Sequence, residues 1–345
     1  MTWLRSVIAA VLLLPQAVMG QEATARFGSG ATEFLLRSTT DIAIIRPVID
    51  RFVALNPDLT IAYEQWGSND LFAVSRAECT GDGVAADAVF SSAVQQLVWL
   101  VNAACAHPYR SSATLALPRS RRWRDELWGI TTEPAVIVYN KDLLADDQVP
   151  RSRFALLDAL RSNPEFYRDR IATYDIASSG LGYLFAYADS LEASTFGALL
   201  EGFARVDAVA TCCSSEIIEA VADGRFLIAY NVLGSYAANI TRPEIGMVLP
   251  QDYTLFLSRG LMIPRGARHK VAATALLDFL LSAEAQDLLR QAGLVMGTDT
   301  AEAELTASAR RFIPLSPSLL VSLDANRSGF LLRYWDDTFA GSTGP

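Results

Sequence analysis

Short apolar runs of strand length alternate along this chain with segments whose apolar residues recur at helical spacing. That alternation predicts an α/β protein with largely parallel sheets. Glu33 to Arg37 reads as a first strand, and Ser38-Thr39-Thr40-Asp41 then supplies N-cap residues for a helix ending near Leu55. Ile42, Ile45, Ile49, Phe52 and Val53 would face the sheet. Pro47 fits only a first turn, which moves the expected helix start towards Ile45. Asn56-Pro57-Asp58 breaks the pattern, and Leu59 to Gln65 forms a second strand. Trp66-Gly67-Ser68-Asn69 turns into a short helix. Ala86 to Phe90 is a third strand, ending in Ser91-Ser92 before a helix that reaches Cys105. Three successive strands thus end in small hydroxyl or amide residues. In open α/β sheets ligands sit beyond the carboxyl ends of strands, where helix N-termini offer free N–H groups.

Two β-prone stretches are longer than ordinary strands. Leu127 to Asn140 is interrupted only by Pro134, and Thr254 to Ile263 is closed by Pro264-Arg265-Gly266. Between them lies a second α/β set: a helix from Phe154 to Leu160, a strand from Ile171 to Tyr174 and the loop Ala177 to Gly182. A helix from Tyr183 to Ala188, another from Ile217 to Ala222 and a strand from Phe226 to Tyr230 follow. The long stretches read as crossings between two lobes, the first discontinuous. After the second crossing, Ala272, Ala275, Leu276, Phe279 and Leu280 make one apolar stripe, and Ser282 caps a helix ending at Gly293.

Composition narrows the class. Of 345 residues, 51% are hydrophobic and 19% charged, which suits a globular chain. A net charge of -9 argues against phosphate-backbone binding, so no nucleic-acid partner is expected. The basic run Arg119 to Arg124 is offset by Asp125 and Glu126. Arg5, the apolar stretch Val7 to Leu14 and Pro15 form a leader, with small-residue cleavage sites after Gly20 or Ala25. No cysteine stands at either site for lipid attachment. A periplasmic, released protein is expected. Four cysteines in an oxidising compartment invite pairing. Cys79 with Cys105 is the favoured bridge, whereas the adjacent Cys212 and Cys213 rarely join without strain. With only His107 and His269, neither zinc nor a Ser/His/Asp hydrolase is well supplied, and no Gly-x-Ser-x-Gly elbow occurs. No cofactor and no enzymatic activity are expected.

Gly260-Leu261-Met262-Ile263-Pro264-Arg265-Gly266-Ala267 and Leu277-Asp278-Phe279-Leu280-Leu281-Ser282-Ala283-Glu284-Ala285-Gln286 resemble the extracellular solute-binding proteins of ABC importers, and within them the ferric-iron-binding group. Trp128-Gly129 followed by Val138-Tyr139-Asn140-Lys141-Asp142 is similar to that family's first crossing. Ile313 to Pro317 with Leu332-Arg333-Tyr334-Trp335 resembles a narrower set, the phosphoglycerate transport regulatory proteins. The resemblance implies a two-lobed periplasmic-binding-protein fold with hinge strands and a central ligand cleft. Its expected parts are a leader over 1–25, a first lobe over 26–134 plus 255–310, a second over 135–254, and a C-terminal segment, 311–345, near the second lobe or the hinge. It also implies a monomer that captures a small polar, anionic ligand and shows its closed form to an ABC permease. A membrane sensor kinase is the alternative partner, and ferric ion the alternative ligand.

The candidate ligand groups follow from those strand ends and from the resemblance. Ser38, Thr39, Thr40, Ser91 and Ser92 either hold an anion or merely cap their helices. Trp66 packs on a ligand face or belongs to the core. Ser178, Ser179 and Gly180 stand where the second lobe presents a polar loop, with Gly180 and Gly182 allowing close backbone approach. Asn231, Ser235 and Tyr236 follow the strand returning towards the hinge. Ferric-binding members place adjacent tyrosines there, and here Tyr236 is followed by Ala237. A ferric site would have to draw on Glu133, Tyr230 and Tyr236, a thin oxygen set. Glu133 could equally meet a ligand's amine.

Overall fold

The computed structural model describes residues 20–296 and 309–340. Residues 1–19, most of the expected leader, lie outside the described residues.

Six strands precede the first crossing: β1 (Gln21–Phe27), β2 (Thr32–Ser38), β3 (Leu59–Trp66), β4 (Ala88–Ser91), β5 (Arg122–Trp123) and β6 (Leu127–Gly129). Six more follow: β7 (Glu133–Asn140), β8 (Ile171–Tyr174), β9 (Val209–Thr211), β10 (Ile228–Leu233), β11 (Ile245–Val248) and β12 (Thr254–Leu257). The last two are β13 (Gly260–Met262) and β14 (Arg310–Phe312). One sheet has the order β1-β3-β2-β4-β13-β6-β5, and the other β14-β12-β7-β10-β8-β9, with β11 also on β7. The chain therefore changes sheet three times, between Gly129 and Glu133, between Leu257 and Gly260, and between Met262 and Arg310.

Only part of each sheet is parallel. β2 runs parallel to β3 and β4, and β8 to β9 and β10. The strands beside the crossings run antiparallel: β13 to β4 and β6, and β7 to β10, β11 and β12. This corrects the expectation of largely parallel sheets. A strand that enters a lobe by a crossing arrives without a covering helix, so it can lie in the opposite sense.

Gln21 to Ala25, within the expected leader, make most of β1 and pair with β3. Their alternating exposure is that of a strand with one wet face. The first helix spans Ile42–Leu55 and begins three residues before Ile45. Pro47 is tolerated in its interior because Ala43 and Pro47 are both exposed, so the carbonyl that lost its N–H partner faces water. Ile45, Ile49 and Phe52 are buried as the periodicity demands. Ser282 caps the helix Ala283–Gln291 by accepting from the Ala285 N–H at 3.2 Å.

The C-terminal helix Ala325–Phe339 lies on the second lobe, where the Phe339 ring packs tilted against Phe203 with centroids 6.1 Å apart. Just before it, Leu315 donates its N–H to Ser120 in the first lobe, and Tyr183 in the second donates to Ser322. The segment thus touches both lobes. Among the described residues no helix is long and apolar enough to cross a membrane.

Candidate functional site

The carboxyl ends of β2, β3 and β4 point at those of β8, β9 and β10 across a cavity of about 320 Å³. The first lobe contributes Glu22, Thr39, Asp41, Gln65, Trp66 and Ser92; the second contributes Tyr174, Ser178, Ser179, Cys212, Cys213 and Ser215. Hydrogen bonds join the lobes at its edge. Ser68 Oγ accepts from the Gly180 N–H at 2.8 Å, and Gln95 Nε2 donates to the Gly180 carbonyl at 2.7 Å. Asn69 donates to the Ala177 carbonyl at 2.9 Å, and Tyr236 donates to Asp41 at 2.9 Å. The molecule is closed.

The first-lobe hydroxyls divide into two roles. Ser38 is fully buried and accepts from the Thr40 N–H at 3.0 Å; Ser91 accepts from the Ala93 N–H at 3.1 Å. These two shape their turns and do not line the cavity. Thr39 and Ser92 do line it, held together at 3.1 Å between hydroxyls while Thr39 also accepts from the Ser92 N–H. Thr40 lies beneath, accepting from Arg259 at 3.1 Å. Trp66 is in the wall, its indole N–H bound to Glu64 at 3.0 Å.

In the second lobe Ser178 and Ser179 face the cavity, and Ser179 caps the helix Gly180–Glu192 through the Gly182 N–H. Gly180 is the latch described above. Tyr236 is on the wall, with its hydroxyl pushed far above its ordinary range by burial. Glu133 and Ser235 lie below the surface. Glu133 is bound by Ser235 and Thr131, each at 2.6 Å, and by Arg259. Asn231 and Tyr230 turn away to Asp189, at 2.8 and 2.6 Å. The three oxygen donors considered for iron therefore serve separate partners: Tyr230 on Asp189, Tyr236 on Asp41, Glu133 on Arg259. Among the described residues no three His, Cys, Asp or Glu side chains group as a metal site would require.

Several lining residues were not among the sequence candidates. Glu22 belonged to the expected leader. Asp41 was read only as a cap, and its carboxylate instead bridges to Tyr236 and, through Gln65 Nε2, to Glu22. Cys212 and Cys213 form a disulfide, against the expectation for adjacent cysteines. They occupy the turn from β9 into the helix Ser214–Ala222, where Cys213 adopts a left-handed backbone, φ 73°, that folds the chain back on itself. Cys79 and Cys105 are also joined. The first helical N–H after the cysteines to meet a carbonyl is that of Ile217, on Cys213. The amides of Ser214, Ser215 and Glu216 therefore stand ahead of the helix's own ladder at the cavity wall. Ser214 Oγ lies 2.5 Å from the Tyr174 hydroxyl, whose pKa burial pushes up to about 12. β9 is three residues long and only half-buried, so its strand signal was too weak to flag the serines after it.

The family model described as "Bacterial extracellular solute-binding protein" matches residues 37–287. The substrate-binding protein of an ABC transporter from Agrobacterium tumefaciens superposes with a TM-score of 0.87 at 30% identity, covering 93% of this chain and 99% of that one. AfuA from Actinobacillus pleuropneumoniae, solved with fructose-6-phosphate, gives 0.70 at 15% identity over 90% and 99%. The ferric-binding protein of Campylobacter jejuni gives 0.68 at 18% over 88% and 99%. No curated protein sequence matches the chain.

Proposed function

We propose, from the premise that this chain belongs to the bacterial extracellular solute-binding proteins, that it captures a small polar ligand bearing a compact oxyanion in the periplasm. The lobes close over that ligand, and the closed form is what an ABC permease receives. The observation that carries this is the cavity shared by both sheets and sealed by the Gly180, Ala177 and Asp41 bonds. Its volume is at the small end for ligand sites, so it suits a metabolite rather than an oligomer. An oxyanion would sit at the free amides of Ser214 and Ser215 and the Ser215 hydroxyl, where the helix dipole favours negative charge. Ser178 and Thr39 add hydroxyl donors from both lobes. Closure is driven only by the ligand's preference for the closed state, because a ligand bound equally to both would shift nothing.

Thermal melting against a panel of phosphorylated and carboxylated metabolites, sugars and ferric citrate tests this reading. A true ligand at 100 times its Kd should stabilise the folded chain by about 2.7 kcal/mol. Ser215→Trp, which fills the cavity from its wall, should abolish that shift and leave the unliganded melting temperature in place. Shifts that survive Ser215→Trp unchanged would place the ligand elsewhere and overturn the assignment.

A further inference from the structure

Charges on the cavity wall do not balance. Glu22, Asp41 and Glu216 bring three carboxylates, and Arg259 is the one cation among the lining residues. Arg259 is not available to a ligand as an ion, because Glu133 holds it in a two-point pair from below and its remaining Nη1 contacts go to Thr39 and Thr40. A ligand carrying only negative charge would therefore enter a cavity whose unneutralised side chains are all acidic. The two chemistries also occupy different walls. Glu22 and Asp41 belong to the first lobe and are tied to one another by Gln65, whose single Nε2 donates to Glu22 at 2.9 Å and to Asp41 at 3.3 Å. The free amides of Ser214 and Ser215 and the Ser215 hydroxyl belong to the second.

Resting on the solute-binding reading above, we propose that the ligand is a small zwitterion, its oxyanion at Ser214 and Ser215 and its ammonium group between Glu22 and Asp41 beside Trp66. One amide shared by two carboxylates keeps them close enough for one cation to meet both. Asp41 receives its donors, Tyr236 and Gln65, on Oδ1, and among the described residues no donor is hydrogen-bonded to its Oδ2. Trp66, 4% exposed, lines the same wall, with the Arg37 guanidinium already 5.7 Å from its ring centroid. Partial withdrawal from water, with repulsion from Asp41, Glu216 and Asp70, pushes the Glu22 carboxyl above its ordinary value. An ammonium ion relieves that repulsion. Because each end of the ligand meets a different lobe, a zwitterion spans the cleft, and closure brings both ends into contact at once.

Matched pairs of probes differing by one amine test this on the mature protein by calorimetric titration: ethanolamine phosphate against ethyl phosphate, and β-alanine against propionate. The amine-bearing member of at least one pair should bind about tenfold tighter or more, as charge-assisted contacts require. In the variant Glu22→Gln with Asp41→Asn, that preference should fall to about threefold or less while the melting temperature of the unliganded protein holds. Equal or tighter binding of the amine-free members overturns the zwitterion and leaves the solute-binding reading intact. Stabilisation by calcium chloride alone, lost with the same variant, overturns it in favour of a metal. No binding by any probe also overturns it; hexoses in the same series then report whether solute binding itself survives.

Discussion

The Glu133 carboxylate accepts from Nε and Nη2 of Arg259 at 2.9 and 3.3 Å, and neither side chain is exposed to solvent. Glu133 opens β7 and Arg259 immediately precedes β13, so the pair ties together the first two places where the chain passes between sheets. Burial alone would lower the Arg259 pKa, and the charge and hydrogen bonds of Glu133, together with Tyr236, more than reverse that. Ser258 and Thr131 add bonds between the same two segments. Removing one partner strands the other charge in the interior. Arg259→Met should cost about 3–5 kcal/mol in urea unfolding, and adding Glu133→Gln should recover part of that loss. If the double variant is no more stable than Arg259→Met, the pair is not coupled as described.

Gly180 faces the opposite lobe with no side chain, and a Cβ there would lie 2.5 Å from Gln96 Nε2 and 2.9 Å from Asn69 Oδ1. Both neighbours belong to the first lobe, so the obstruction exists only when the lobes are shut. Gly180→Leu should weaken ligand binding about tenfold or more, as overpacking a closed interface does, with unfolding free energy nearly unchanged. Small-angle scattering should show the variant failing to compact with ligand. Normal compaction would remove Gly180 from the latch.

The two disulfides should behave differently. Cys79–Cys105 closes a loop with a separation of 26 residues, and replacing both cysteines by serine should cost about 2–4 kcal/mol. Cys212–Cys213 closes almost no chain, so the corresponding change should alter stability little. That bridge lines the cavity and positions Ser214 and Ser215, so its loss should appear in ligand Kd instead. Denaturation and titration of the two variants separate these effects.

Affinity for an amine-bearing ligand should depend on pH through Glu22. Its folded-state pKa is raised above 4.5, so the unliganded fold holds this proton more tightly than the unfolded chain does. The stability from that proton is complete below 4.5 and is lost as pH rises through the raised value. A cationic ligand prefers the ionised carboxylate, so binding should strengthen over the same rise and release a proton. Glu22→Gln should flatten the profile. A profile that stays steep in that variant assigns the titration to another group.

Residues 21–25 form most of β1 and supply Glu22, so a processing site that keeps both would lie after Gly20 rather than after Ala25. Mass spectrometry of the exported protein should find Gln21 at the N-terminus. A chain begun at Arg26 should lose amine selectivity and expose the edge of β3.

Much of the architecture was legible because it is periodic. Ile45, Ile49 and Phe52 mark a helix face, Ala135 to Val138 an unbroken buried strand, and Thr39 and Ser92 lie at strand ends where such sheets place ligands. Glu22 was hidden because a strand of alternating small and polar residues looks like a cleavage region. Ser214 and Ser215 were hidden behind a strand of only three residues.

Local sequence decided the elements, since hydrophobic period and turn residues act over a few positions and need no partner. It also supplied the hydroxyl-bearing turns and the two long stretches that join the sheets. Only the tertiary structure decided which charges meet. Glu133 was equally a metal ligand or a partner for a ligand's amine until Arg259, 126 residues away in the chain, neutralised it. Asp41 was a helix cap until Gln65 and Tyr236 set it beside Glu22. Electrostatic pairing depends on distance in space and on exclusion of water, and both exist only once the chain has folded.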